Sequence, residues 1–174
     1  MARVFFIIFI IILMASACTQ VPAEMPDDFS LTMEWNTGAL PPKYTYMYTI
    51  TIGPGQTGEM AYRPGYDPGD DSHLWVAAFT PNQAQMEVLY EILQEQDVFR
   101  SNWKKGEILL GSHGTDLTLT AYGKAYAVPS VSELDRDERI RVETAMDAIR
   151  AVVPQALWDE LETRQAAYEA EYED

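Results

Sequence analysis

The chain reads as an α+β domain: an antiparallel meander sheet of about six to seven short strands, with one central helix and a C-terminal helical pair packed on one face. Three observations predict this. From Phe29 to Ile52, apart from a Gly- and Pro-containing loop, apolar and aromatic residues recur at period two, the pattern of half-buried strands. After Thr80 the apolar period changes to that of an amphipathic helix. The predicted strands are joined by hairpin-like connections, without the strand–helix alternation that a doubly wound parallel sheet needs.

Taken in order, Phe29, Leu31, Met33 and Trp35 alternate with Ser30, Thr32 and Glu34 as a first strand. Asn36 to Pro42 is a loop by its Gly and Pro content. From Tyr44 to Ile52, the residues Tyr44, Tyr46, Tyr48, Ile50 and Ile52 share one face, the expected seat of the helix after Thr80. Gly53-Pro54-Gly55 turns the chain, and Glu59 to Arg63 returns as the second arm of a hairpin. A long loop, Arg63 to His73, leads to Leu74 to Phe79 (LWVAAF), whose unbroken apolar character predicts a central strand buried on both faces. Thr80 as N-cap, Pro81 at the first helical position and Gln83 as capping-box partner open a helix. Met86, Val88, Leu89, Ile92 and Leu93 continue it to Asp97.

Glu107 to Leu110, Asp116 to Ala121 and Ala125 to Val128 are the remaining strands, linked by turns at Gly111 to Thr115 and Gly123-Lys124. Pro129 ends the sheet. Ser130 or Ser132 caps a second helix, with Glu133 or Asp135 at its third position. Val142, Ala145, Met146, Ile149, Val152 and Val153 form its apolar stripe. Pro154 stops that helix and starts a third, with Leu157, Trp158, Leu161 and Tyr168 inward. The predicted domain spans residues 29–170, and residues 171–174 form an acidic tail.

The start of the chain has a different character. Arg3 precedes the unbroken apolar run Val4 to Met14, about half the roughly 20 residues that span a bilayer. A basic start, a short apolar core and small residues at its end make residues 1–17 a secretory signal peptide. Ala15-Ser16-Ala17-Cys18 resembles the lipobox of bacterial lipoproteins, with Ala15 where leucine is commonest. That resemblance implies cleavage before Cys18, diacylation of its thiol and acylation of the new amino terminus; stable anchoring needs more than one chain. It also implies, from Thr19 rather than Asp after the cysteine, the outer membrane of a diderm envelope. In a single-membrane cell the address is the outer face of the cytoplasmic membrane. Ala15-Ser16-Ala17 also satisfies the rule for ordinary signal peptidase, which leaves secretion as an alternative, as is retention of the segment as an uncleaved anchor. An exported chain with one unpaired thiol favours lipidation. Residues 18–28, with two prolines and three acidic side chains, are composed like a tether of roughly 30 Å reach.

After Cys18 the chain carries all 27 acidic residues and all but Arg3 of the 12 basic ones, a net charge of −16. Such a surface repels nucleic acid and anionic headgroups. The predicted partners are the membrane, through the lipid, and an envelope protein or cell-wall polymer. With no second cysteine, disulfides, thiol catalysis and cysteine–zinc sites are excluded from the domain.

Several stretches hold chemistry-bearing side chains, and each has a plainer reading. Asp67, Asp70, Asp71 and His73 are the densest set of oxygen and nitrogen donors, suited to calcium, but their spacing matches no EF-hand and suits any exposed turn. No other cofactor is expected besides the covalent lipid. Ser112, His113 and Asp116 invite a triad reading, although neighbours in a hairpin turn point apart. Arg100, Trp103, Lys104 and Lys105 are the one local basic cluster, either a contact patch for an anionic partner or cations after a helix C-terminus. Tyr44, Tyr46 and Tyr48, with Trp35 and Trp75 nearby, would bind glycan or peptide if exposed, and form core if not. No catalytic residue is singled out. The expectation is a non-catalytic binding or accessory domain on a lipid anchor. Its alternative is a tethered hydrolase whose Asp and Glu residues converge only in the fold, in a polar pocket.

Overall fold

A computed structural model describes residues 24–172 except 68, 70, 109, 110 and 112. Six strands form one antiparallel sheet: β1 (Ser30–Asn36), β2 (Tyr46–Gly53), β3 (Thr57–Pro64), β4 (Trp75–Phe79), β5 (Gly114–Ala121) and β6 (Lys124–Val128). The order across the sheet is β4-β3-β2-β1-β5-β6. Three helices, α1 (Gln83–Glu95), α2 (Arg136–Val152) and α3 (Gln155–Glu171), complete an α+β fold with one central helix and a C-terminal pair.

Register explains the core. Because side chains alternate faces, the pairing lines up apolar residues in rows across the strands. One row runs Val128, Leu117, Met33, Ile50, Met60, Ala77, and the next Tyr126, Leu119, Leu31, Ile52, Gly58, Phe79. Gly58 is required in the second, since a Cβ there would lie 2.5 Å from the Phe79 ring. A third row is aromatic: Trp35, Tyr48, Tyr62, Trp75. Burying each large side chain contributes roughly 1.5–3 kcal/mol, so these rows hold the helices on this face. The opposite face carries Thr32, Glu34, Thr49, Thr51, Glu59 and Thr118, none of them buried.

Several local expectations are corrected. Tyr44 lies in a one-turn 3-10 helix, Pro42–Tyr44, rather than in β2, and is exposed. The LWVAAF run is an edge strand with Val76 47% exposed, not a central one. Alanine and valine read as buried on both faces, but small apolar side chains are tolerated singly in solvent. Glu107 and Ile108 are irregular and exposed, and the rest of that predicted strand lies outside the described residues. The N-cap of α1 is Asn82, not Thr80: its Oδ1 accepts from Gln85 N at 2.9 Å, and Gln85 Oε1 accepts from Asn82 N at 3.0 Å. The N-cap of α2 is Asp135, which accepts from Glu138 N at 3.0 Å, while Ser130 precedes a 3-10 turn. The predicted stripe of α2, Val142 to Val153, is buried throughout. Helix α3 runs on to Glu171, into the stretch expected as a tail.

Residues 24–28 touch the domain. Met25 packs on the core, and the Asp28 carboxylate accepts from Tyr122 N at 2.9 Å and Gly123 N at 2.5 Å. Those two residues form the β5–β6 turn, both at positive φ (54° and 69°), as a two-residue hairpin loop of type I′ demands. The chain therefore enters β1 at one end of the sheet. No helix among the described residues is long and apolar enough to cross a membrane.

Candidate functional site

At the other end of β1, the aromatic row runs out into an open cleft of about 450 Å³. Trp35 is its hub. Its ring stacks on Tyr48 (5.2 Å between centroids, 18° between planes) and on His113 (5.8 Å, 29°), and lies tilted against Tyr46 at 5.6 Å. Trp158 of α3 meets Tyr48 edge-on at 5.1 Å. Tyr48 is buried, while Trp35, Tyr46, His113 and Trp158 are half-buried and open to the cleft.

The polar wall comes from α2, where Glu143, Asp147 and Arg150 follow one another at helical spacing beside the apolar stripe. Arg150 is fixed from several directions. Its Nε donates to Tyr48 Oη at 2.6 Å, its Nη1 donates to Asp147 Oδ1 at 2.7 Å, and its carbonyl accepts from Trp158 Nε1 at 3.4 Å. Its guanidinium carbon stands 6.0 Å from the ring centroids of both Trp35 and Tyr48, a cation–π arrangement. Burial pushes the Tyr48 phenol above its ordinary pKa, against the pull of Arg150. The Tyr46 phenol is also raised by burial, helped by the charge of Glu162. Both hydroxyls therefore stay protonated at neutral pH. A larger cavity of about 630 Å³ lies where residues 24–29 meet α1 and the β2–β3 turn; its charged groups, Glu24, Asp27 and Glu87, are all carboxylates. Its rings, Phe29 and Tyr90, are buried against each other at 5.2 Å. The cleft at Trp35 is the better candidate because rings and polar groups of both signs converge there.

The other predicted sites have different fates. Cys18 and Asp70 lie outside the described residues. Asp67 accepts from Gly69 N at 2.8 Å, Asp71 pairs with Arg63 at 2.8 Å, and His73 faces Glu171 at 3.6 Å. These three are held by separate local partners, and among the described residues no group of three or more His, Cys, Asp or Glu is placed to hold a metal. Of the basic cluster, Arg100 lies over the Trp103 ring at 4.3 Å and pairs with the buried Glu138, and Lys105 pairs with Glu133 at 3.0 Å. Lys104 is exposed and gives its carbonyl to Asp135 N at 3.1 Å. His113 stacks on Trp35, whereas Asp116 is exposed opposite Glu34, so the two do not face each other. Trp75 lies at the sheet edge under Arg164 at 5.3 Å.

Of the cleft residues, Trp35, Tyr46, Tyr48 and His113 stand out in the sequence, whereas Glu143, Asp147 and Arg150 do not. Their i, i+4, i+7 spacing was legible, yet it is equally that of a solvated helix flank. The chain matches no protein-family model and no curated protein.

Proposed function

We propose that this chain is an exported, lipid-anchored envelope protein whose domain binds a ligand in the Trp35 cleft without converting it. The anchor half rests on the lipobox-like residues 15–18, and Thr19 points to the outer membrane where two membranes exist. The binding half is carried by one observation. Arg150, the cation of the cleft, is locked to Tyr48 and Asp147, so rings and donors are pre-organised before any ligand arrives. Position supports the reading. The chain enters β1 at Ser30, and the cleft lies at Trp35, roughly 17 Å away along the strand and off the end at which the chain enters.

Mass spectrometry of the membrane-extracted protein tests the anchor. A lipid-modified Cys18 at the mature terminus is expected, with Cys18→Ser released from the membrane fraction or left unprocessed. A bare Cys18 or a retained Met1 overturns it.

A second reading, a tethered hydrolase, draws on the presence of Glu143, Asp147 and His113 along the same cleft. It requires turnover that Glu143→Gln or Asp147→Asn abolishes. Bound ligand recovered intact after long incubation decides for binding.

A further inference from the structure

We infer that the cleft takes a neutral saccharide, stacked on its half-buried rings and hydrogen-bonded at its polar wall; this deepens, and rests on, the reading of the cleft as the ligand site. Charge narrows the field first. With a net charge of −16 after Cys18, the protein as a whole repels polyanions. A cation is drawn to such a field and to aromatic faces, but its place is taken. Arg150 already stands 6.0 Å from both Trp35 and Tyr48, held by contacts of 2.6 and 2.7 Å. A second cation would have to compete with that guanidinium for the ring faces and for Asp147, its ion-pair partner, which leaves Glu143 as the remaining carboxylate of the cleft to receive it.

Backbone pairing excludes a peptide added to the sheet as a further strand. Strand addition needs a free edge, whereas the strands that carry Trp35 and Tyr48 are inner ones: β1 lies between β2 and β5, and β2 between β1 and β3.

What the cleft offers is what a pyranose ring uses. A sugar presents an apolar C–H face, which stacks on an aromatic ring, and a rim of hydroxyls that donate and accept together. Tyr46, Trp158 and His113 supply the half-buried rings. Glu143 supplies carboxylate acceptors on the same wall as the donors of Arg150. A volume of about 450 Å³ suits a short oligosaccharide and falls within the roughly 300–1,000 Å³ usual for small-molecule sites.

The test is calorimetry and tryptophan fluorescence on the detergent-solubilised full chain. The probes are neutral glucan, mannan and chitin oligosaccharides, the cations choline and spermidine, and neutral hexapeptides. A neutral oligosaccharide is expected to bind and to perturb the fluorescence. The conservative Glu143→Gln should weaken binding about tenfold at an unchanged melting temperature, and Tyr46→Ala about tenfold with a lowered one, because Tyr46 also packs against the core. Choline, spermidine or hexapeptide binding that the same variants abolish would overturn the saccharide and keep the cleft. Saccharide binding indifferent to both variants would overturn the cleft itself. Silence of every saccharide at millimolar concentration overturns the inference.

Discussion

Glu138 is 5% exposed and accepts a hydrogen bond from Arg100, which stands over Trp103 and lies 3.4 Å from Asp97. This contact helps to tie the segment after α1 to the first turn of α2, beside the backbone bond from Asp135 N to Lys104 O. An ion pair with one member so deeply desolvated adds little net stability over an apolar pair of similar volume, but removing one partner strands the other. Arg100→Met should therefore cost about 3 kcal/mol in urea unfolding, toward the lower end for a buried pair because Arg100 keeps some solvent. Adding Glu138→Leu should restore most of that. A neutral Arg100→Met would show that Glu138 is solvated in solution and that the contact does not hold the two elements together. The basic cluster itself was legible at residues 100–105. Its principal partner lies 38 positions away, beyond the reach of local charge patterning, so the place of Arg100 within the domain was not legible there.

At the scale of elements, α1 shows which local signals suffice. Its start offered two overlapping capping patterns, Thr80 with Gln83 and Asn82 with Gln85. The chain adopts the second because asparagine is the stronger cap and places both reciprocal bonds at good length. Element type survives such an ambiguity, and the boundary shifts by two residues. The edge position of β4 was not legible, since strand order depends on which neighbour pairs rather than on the strand's own residues. The C-terminus of α1 carries a subtler device. Val98 N donates to Leu93 O at 3.2 Å and Asp97 N to Gln94 O at 2.9 Å, with Asp97 at φ 54°, a Schellman motif in which aspartate stands where glycine is usual. A left-handed residue with a Cβ bears a strain of about 1–2 kcal/mol, which a short polar side chain partly offsets and glycine avoids. Glycine gives back part of this through unfolded-chain entropy, and the exposed Asp97–Arg100 contact adds only a few tenths of a kcal/mol. Asp97→Gly should be neutral or slightly stabilising, and Asp97→Ala destabilising by about 1 kcal/mol. Equal melting temperatures for the two variants would mean that the residue is not left-handed in solution.

Over the whole molecule, the cleft draws on Trp35, Tyr48, His113, Arg150 and Trp158, and register, not sequence proximity, is what gathers them. The period-two face of β2 and the inward stripe of α3 were visible in advance, but their meeting was not. The same arrangement concentrates phenols in the interior, which sets a response to alkali. Burial is the largest cause raising the Tyr62 and Tyr90 phenols, with the neighbouring Tyr168 and Tyr122 adding to it, and Tyr46 and Tyr48 are also raised by burial first. Below pH about 10 both folded and unfolded chains hold these protons, and the stabilisation is fully present. Above it the unfolded chain releases protons that the folded one keeps, so it binds fewer and stability falls as pH rises. Each such tyrosine contributes up to about 1.4 kcal/mol per pH unit to that fall. Tyr62→Phe should lower stability at pH 8, because Tyr62 Oη donates to the buried Gln165 at 2.7 Å, yet flatten the decline between pH 10 and 11.5. Tyr90→Phe should flatten it independently. Urea unfolding at half-unit steps across that range reads both effects, and an unchanged slope in the two variants would place the alkaline transition on groups other than these buried phenols.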